Sequence, residues 1–171
     1  MSNVKKRLAL VIANTDYQSQ PKLPTCHNDG VDMKSKLEKL NFDVLYYIDV
    51  TRETTLAAIS EFIRLADYYS VLLMYYTGHG VQIDGENYFV PIDCTYNPVK
   101  AVFIASSLVG VNTITQYMNE HEEKTNILIL DACRSGLSFV KNIGNTGLAE
   151  ISAGNGTIIA FATSPNTSAL A

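Results

Sequence analysis

The sequence predicts an α/β fold in which helices cover a mostly parallel sheet, and three observations lead to this prediction. Short apolar runs alternate with segments of helical periodicity along the 171 residues. The apolar runs are nearly continuous, which is typical of parallel strands buried on both faces. Reactive side chains follow two of these runs, and functional groups collect at the carboxyl ends of parallel strands. We expect one domain over residues 1–171.

Five apolar runs are predicted to form strands. In chain order they are Arg7–Ala13, Phe42–Val50, Val71–Tyr76, Asn126–Leu130 and Thr157–Ala162. A hairpin is also predicted between Val81–Ile83 and Tyr88–Val90, with Asp84-Gly85 as its turn. We expect the third run to end abruptly at Thr77-Gly78-His79-Gly80, and the fourth to end just before Asp131.

Three segments are predicted to be amphipathic helices. They cover residues 29–40, 51–67 and 113–122. Asn28 or Asp29 is the expected N-cap of the first helix, and Thr51 that of the second. The segment Asn14–Cys26 contains two prolines and is predicted to be a loop.

Composition excludes several classes of protein. With 47% apolar and 18% charged residues, the chain can bury a core, which excludes a disordered protein. Its 13 basic and 17 acidic residues give a net charge of −4, which argues against a nucleic-acid partner. No apolar run approaches the ~18 residues of a membrane span. The run Leu8–Ala13 is also too short for a signal peptide, so we expect a cytoplasmic protein with no membrane partner.

The cysteines do not follow a structural pattern. There are three of them, an odd number without C-x-x-C spacing, so we expect no disulfide framework, no metal site and at least one free thiol. A single Cys is usually a small apolar core residue, and we interpret Cys26 and Cys94 in this way.

Cys133 and His79 are different because each follows a predicted strand. His79 lies between two glycines, which would let the backbone turn sharply and approach a ligand closely. Cys133 comes at the start of a loop, where nearby positive groups would favour a thiolate. A thiolate paired with an imidazole is a common arrangement for acyl-transfer catalysis. The separation of 54 residues fits two adjacent strand ends joined by a crossover.

The residues around this pair resemble the catalytic motifs of caspase-like cysteine peptidases. The motifs are YYTGHG at residues 75–80 and LDACRSG at residues 130–136, with the His about 50 residues before the Cys as in caspases. The match is to the paracaspase and metacaspase branch, which includes the orthocaspases. Further matches are LVIAN at residues 10–14 with Tyr17, CHND at residues 26–29, YFVPID at residues 88–93 and FATS at residues 161–164.

This resemblance implies the caspase-hemoglobinase fold, a three-layer α/β/α sandwich, and a cysteine endopeptidase that cleaves after Arg and also Lys. Cys133 would be the nucleophile and His79 the general base and acid. The N–H groups of Gly80 and Cys133 would form the oxyanion hole. Asp29 and Asp131 would line the S1 pocket for a basic residue, and two residues before Cys133 in an extended segment Asp131 would point to the same side.

Two departures from the family qualify the expectation. The chain corresponds to the large-subunit region of the family, so a small-subunit chain or the remainder of the domain is an expected partner, and a dimer is a further expectation. The acidic residues Asp84, Glu86 and Asp93 are scattered without EF-hand spacing. We therefore expect no cofactor, and calcium dependence is not supported.

The sequence leaves two other functions open and predicts one processing event. The chain could be a catalytically silent caspase-like scaffold that acts by protein binding, although it retains both Cys133 and His79. It could also be a flavodoxin-like ligand-binding module, but the first strand is followed by Asn14-Thr15-Asp16-Tyr17 rather than a glycine-rich phosphate loop. Self-processing near Lys141, in a Gly- and Asn-containing loop, is a further prediction.

Overall fold

The computed structural model describes residues 6–97, 102–103, 105–133, 148–149 and 151–162. Its strands are, in chain order, β1 (Arg7–Ala13), β2 (Phe42–Ile48), β3 (Val71–Ile83), β4 (Glu86–Phe89), β5 (Tyr96–Asn97), β6 (Val102–Phe103), β7 (Val109–Gly110), β8 (Thr125–Cys133) and β9 (Thr157–Phe161). Its helices are α1 (Pro24–Lys39), α2 (Arg52–Ala66) and α3 (Asn112–Glu120), with a short 3-10 turn at Ala105–Ser107.

Five strands form a parallel sheet in the order β2-β1-β3-β8-β9. The central strand β3 continues beyond the end of β1. There it pairs with β4 in an antiparallel hairpin, and β4 in turn pairs with β7. β5 and β6 form a separate two-stranded pair. The strand β3 therefore belongs to both a parallel and an antiparallel part of the sheet.

The two faces of the parallel sheet bury different residues, because successive side chains of a strand point to opposite sides. On β1, Leu8, Leu10 and Ile12 join the apolar core formed with α2 and α3. Ala9 and Val11 pack on the opposite face, with residues of α1. Helices on both faces of a parallel sheet make a three-layer α/β/α sandwich. The predicted fold class is confirmed.

The first helix begins earlier than the sequence predicted. α1 starts at Pro24, so Asn28 and Asp29 lie inside the helix and neither is its N-cap. Proline suits a first turn because the N–H that it lacks would have no intrahelical partner there. The predicted loop Asn14–Cys26 therefore ends before Pro24.

The other helices and the hairpin turn agree with prediction. Thr51 caps α2, and its hydroxyl accepts the N–H of Thr54 at 3.2 Å. α3 lies within two residues of its predicted bounds. Asp84 and Gly85 have φ of +51° and +83°, the left-handed values that a two-residue type I′ turn requires. In the described part of the chain, none of the helices is long and apolar enough to span a membrane.

Two strands extend beyond their predicted ends. β3 does not stop at Thr77 but continues to Ile83, and β8 continues through Asp131 to Cys133. Glycine and aspartate are poor strand formers. Each extension nevertheless supplies the partners of the other, since residues 77–79 pair with residues 131–133. Tertiary pairing overrides local propensity here, and the short strands β5, β6 and β7 were likewise not predicted.

Candidate active site

The structure makes His79 and Cys133 neighbours at the carboxyl end of the parallel sheet. They are Cα partners in the last pair of the β3–β8 ladder, and neighbouring strands lie about 4.8 Å apart. The two residues are distant in sequence, so the crossover from β3 to β8 is what joins them. Cys133 is the last residue of β8 rather than part of the loop beyond it, which corrects its predicted position.

The imidazole of His79 is buried and fixed from the loop between β1 and α1. Its Nε2 lies 2.8 Å from the carbonyl oxygen of Pro21. A carbonyl oxygen can only accept, so Nε2 carries a proton in this contact and Nδ1 of the neutral ring is an acceptor. The ring of Tyr17 packs against the imidazole with 4.6 Å between centroids. Two residues of one loop therefore set the ring's position and tautomer.

Both backbone polar groups of His79 are bonded to tyrosine hydroxyls. The N–H of His79 donates to Tyr17 Oη at 2.7 Å. Tyr76 Oη donates to the carbonyl oxygen of His79 at 2.7 Å, which also accepts the N–H of Val90 at 3.0 Å. Buried polar groups are costly when unpaired, so these contacts stabilise the position of the His79 backbone.

The glycines on either side of His79 serve close packing rather than a sharp turn. Gly78 has a φ of +153°, and a Cβ there would lie 2.7 Å from Tyr17 Oη and 2.8 Å from Tyr76 Oη. A Cβ on Gly80 would lie 2.8 Å from the Cβ of Ala132. Side chains at these positions would displace the two hydroxyls or separate β3 from β8. The expectation of an abrupt turn at this motif was wrong, because the motif is part of β3.

The amide of Gly80 is directed toward β8. The carbonyl oxygen of His79 accepts the N–H of Val90, so the polar groups of His79 face the β4 side of the strand. Backbone groups alternate between the two sides along a strand. The N–H of Gly80 therefore faces the other side, on which β8 ends at Cys133.

Asp29, Asp131 and Tyr75 form an acidic cluster beside this strand end. Tyr75 Oη donates to Asp131 Oδ2 at 3.3 Å. Although Asp29 is exposed on α1, partial burial, and after it the charge of Asp131, raises the pKa of its carboxyl. Burial, followed by the charges of Asp131 and Asp29, also raises the pKa of Tyr75. In the part of the chain that the structure describes, neither carboxylate has an ion-pair partner. The described residues therefore give this like-charge pair no neutralising cation.

Comparison with known proteins identifies the family. A family model described as the caspase domain matches residues 6–171. The chain belongs to the caspase family. The human mucosa-associated lymphoid tissue lymphoma translocation protein 1 is 33% identical to this caspase domain over 130 residues, which are 76% of the chain and 15% of that protein. Pig caspase-1 is 25% identical over 165 residues, which are 87% of the chain and 37% of that protein. The chain thus spans well under half of these relatives.

Solved structures agree with the fold. The Drosophila initiator caspase Dronc superposes with a TM-score of 0.65 at 14% identity, over 94% of this chain and 58% of that one. The structure of pro-sf-caspase-1 gives a TM-score of 0.64 at 14% identity, over 95% of this chain and 63% of that one. The predicted α/β caspase fold is confirmed.

The loop 14–23 of this caspase domain, which carries Tyr17 and Pro21, is itself anchored at its start. Asn14 Nδ2 donates to the carbonyl oxygen of Val90 at 3.3 Å. Asp49 Oδ1 accepts the N–H groups of residues 15 and 16 at 2.7 and 2.8 Å. The loop therefore begins from a fixed position, which allows its later residues to reach His79 reproducibly.

A second anchor lies on β4. Asn87 is buried, its Nδ2 donates to the carbonyl oxygen of Ala149 at 2.9 Å, and its Oδ1 accepts the N–H of Ala149 at 2.7 Å. The neighbouring Leu148 joins the main apolar core and would approach a Cβ on Gly80 to 3.4 Å. One side chain thus attaches the segment 148–149 to the sheet beside the site.

The other two cysteines are buried in one apolar cluster. Burial raises the pKa of the Cys94 thiol to about 11, and its Sγ lies 3.2 Å from Ser107 Oγ. The interpretation of Cys26 and Cys94 as core residues is confirmed. Among the described residues, no group of three or more His, Cys, Asp or Glu side chains is placed to hold a metal ion.

Sequence reasoning missed the residues that support His79 and Asp131. In the sequence, Tyr17, Tyr75 and Tyr76 stand out only as members of motifs, and Pro21 only as part of a loop. The adjacent Tyr75 and Tyr76 are a usable signal, because successive strand residues face opposite sides of the sheet. One hydroxyl is therefore available to each side. The rest of the LDACRSG motif and the predicted processing position Lys141 lie outside the described residues.

Proposed function

We propose that this protein is a cysteine endopeptidase that cleaves polypeptides after Arg and, more slowly, after Lys. The observation that carries the proposal is the pairing of His79 with Cys133 at the end of the β3–β8 ladder. A thiol nucleophile needs a base within reach, and the base needs a third group to orient it. The carbonyl oxygen of Pro21 is the orienting group, since it fixes Nε2 and leaves Nδ1 as the acceptor.

In the proposed reaction the Cys133 thiolate attacks the scissile carbonyl carbon and forms a tetrahedral oxyanion. The N–H groups of Gly80 and Cys133 donate to that oxyanion. Collapse breaks the peptide bond, and the protonated imidazole of His79 gives its proton to the leaving amine, which leaves a thioester on Cys133. Water, deprotonated by His79, then hydrolyses the thioester and regenerates the thiol.

Specificity for a basic residue follows from the acidic cluster. Partial burial, and after it the charge of Asp131, raises the pKa of Asp29, and a bound cation would offset that charge. A guanidinium can donate to both carboxylates in a bidentate manner, whereas an ammonium binds as a point charge. An acidic side chain would meet two like charges and would be rejected. The proposal therefore assigns Arg as the preferred residue, with Lys second.

The proposed setting is the cytoplasm, with polypeptide substrates and no cofactor. The buried thiols of Cys26 and Cys94 suit a reducing compartment. A small-subunit chain or a continuation of the domain is the proposed partner, and it would complete the substrate cleft. Calcium is not part of the proposed mechanism.

The decisive experiment is a scan of fluorogenic peptides that differ only at the residue before the cleaved bond. The purified protein should cleave the Arg peptide best, the Lys peptide more slowly and the Asp peptide not measurably, with the same result in calcium and in chelator. The Cys133→Ala variant should cleave none of them.

Three results would contradict the proposal. Efficient cleavage after Asp would refute the pocket. A folded wild-type protein that neither cleaves any peptide nor reacts at Cys133 with an Arg-containing electrophilic peptide would indicate the scaffold function instead. Persistent activity in Cys133→Ala would move the nucleophile elsewhere.

A further inference from the structure

The backbone of His79 lies in a gap between two strands. On one side of β3, the partner strand β1 ends at Ala13, opposite Thr77. On that same side the pairing with β4 begins only where the N–H of Val90 bonds the carbonyl oxygen of His79. The N–H of His79 faces this side too, because the N–H and C=O of one strand residue point the same way. No regular strand partner is available for it between β1 and β4.

Tyr17 fills this gap. Its Oη accepts the N–H of His79 at 2.7 Å, and its ring packs on the imidazole at 4.6 Å. The side chain is 3% exposed, so both contacts are made away from water. The hydroxyl of Tyr76 donates to the carbonyl oxygen of His79. One side chain therefore contacts the backbone and the ring of the same residue.

We propose that Tyr17 is a positioning residue, whose hydroxyl takes the place of the ended β1 strand and fixes His79 opposite Cys133. The inference deepens the proposed function and rests on it, because it concerns the residue assigned there as base and acid. Tyr17 does not touch the reacting atoms in this assignment. It acts through His79 alone.

The expected effect follows from the loss of one atom. Tyr17→Phe keeps the ring against the imidazole but removes the acceptor of the His79 N–H. Strand β3 would then shift locally to find another partner, and the imidazole would move with it. Misplacement of a reacting group by about 1 Å can cost on the order of 10²-fold in rate. Substrate binding should be unaffected, because the acidic cluster is anchored by Tyr75 and not by Tyr17.

The test compares Tyr17→Phe with a matched control. Tyr47 lies on the outer strand β2, away from the site, and its hydroxyl donates to Glu61 at 2.9 Å. The control variant Tyr47→Phe therefore also removes one tyrosine hydroxyl. For both variants, kcat and KM are measured on an Arg peptide, and the rate of Cys133 alkylation by iodoacetamide is measured against pH. Tyr17→Phe should lower kcat on the order of 10²-fold with KM unchanged. Its alkylation profile should move to higher pH, because a displaced imidazolium stabilises the thiolate less.

The outcomes separate the inference from the function on which it rests. Wild-type kcat and a wild-type alkylation profile in Tyr17→Phe would overturn the positioning role, as would equal changes in Tyr47→Phe. If the wild type cleaves no peptide, the endopeptidase assignment fails, yet the alkylation profiles still test Tyr17. If His79→Ala leaves the wild-type alkylation profile unchanged, the Cys133–His79 pair does not form and the inference about Tyr17 is wrong.

Discussion

The two halves of the candidate site are built in opposite ways. His79 is fully buried and is bonded at its N–H, its carbonyl oxygen and its Nε2, each at 2.7–2.8 Å. Among the described residues, the acidic pair Asp29 and Asp131 receives one hydroxyl, that of Tyr75 at 3.3 Å, and carries two charges of the same sign. In this part of the chain, His79 therefore has several partners and the acidic pair has few.

The difference corresponds to two physical requirements. A group that transfers protons must already be oriented when the substrate arrives, so its partners belong to the protein. A group that selects a charged side chain gains most when the substrate supplies the missing partner. In the proposed pocket, basic and acidic substrate residues would be distinguished by the negative charge of the two carboxylates, which only a basic residue would balance. Each of the following predictions tests this contrast.

The largest effect is expected from His79→Ala. Loss of general acid and base help should lower kcat for an Arg peptide by about 10²–10⁴-fold. Because the proposed role of His79 is to act on the thiol itself, alkylation of Cys133 by iodoacetamide at neutral pH should also slow. If peptide cleavage fell while Cys133 alkylation kept its wild-type rate, His79 would not act on the thiol. The contrast between His79 and the acidic pair would then be wrong.

Asp131→Ala should affect cleavage without affecting the thiol. Removing one partner of a buried charged contact typically costs about 2–5 kcal/mol, which is roughly 30- to several-thousand-fold in kcat/KM for the Arg peptide. The rate of Cys133 alkylation by iodoacetamide should stay at the wild-type value. Asp131→Asn, which conserves the size of the side chain, should lose nearly as much, and Arg cleavage at the wild-type rate in both variants would refute the pocket.

Most of the parallel sheet could be predicted from the sequence, because its strands are continuous apolar runs. Such runs indicate buried strands without any knowledge of their tertiary partners. The extension of β3 through His79 could not be predicted, since Thr77 and the glycines form a strand only against the partner residues of β8. The early start of α1 was missed because no side-chain cap marks it.

The candidate site divides in the same way. His79, Cys133 and the two aspartates could be found from local motifs. Tyr17 and Pro21 could not be assigned to His79, because their contacts depend on where β1 ends in three dimensions.

A third prediction concerns Asn87, whose side chain attaches the segment 148–149 to the sheet beside Gly80. This is the half of the site that contains His79. Asn87→Ala removes two hydrogen bonds and leaves both backbone groups of Ala149 without these partners. The free energy of unfolding in urea should fall by about 1–3 kcal/mol. Gln116→Ala, which removes an exposed amide contact to Glu120 on α3, should change it by less than about 0.5 kcal/mol. Equal losses in the two variants would show that the Asn87 contact adds no more to the free energy of unfolding than an exposed amide contact does.

The smallest effect is a gain in stability from Asp29→Asn. The pKa of Asp29 is raised in the folded state above its ordinary value of 3.8, so the folded protein binds this proton more tightly than the unfolded chain does. Asp29 therefore lowers stability as pH rises from about 3.8 through the folded pKa, and it costs nothing below that window. At pH 7 Asp29→Asn should raise the free energy of unfolding by less than about 1 kcal/mol, because water screens an exposed charge.

Urea titrations at pH 7 and pH 3 check the sign. The gain should be present at pH 7 and absent at pH 3. A gain of equal size at both pH values would mean that ionisation of Asp29 is not its cause, and a loss at pH 7 would contradict the raised pKa of Asp29.

The position of His79, at the change from parallel to antiparallel pairing, has a consequence for how the chain folds. The hairpin of β3 and β4 joins residues close in sequence and can close early, whereas the β3–β8 ladder must first close a long loop. A nascent or partly folded chain can therefore contain the hairpin while Cys133 is still distant from His79. The pair forms only when the β3–β8 ladder, whose partners are 54 residues apart, is complete. The topology therefore delays the pairing of His79 with Cys133 until this non-local ladder has formed.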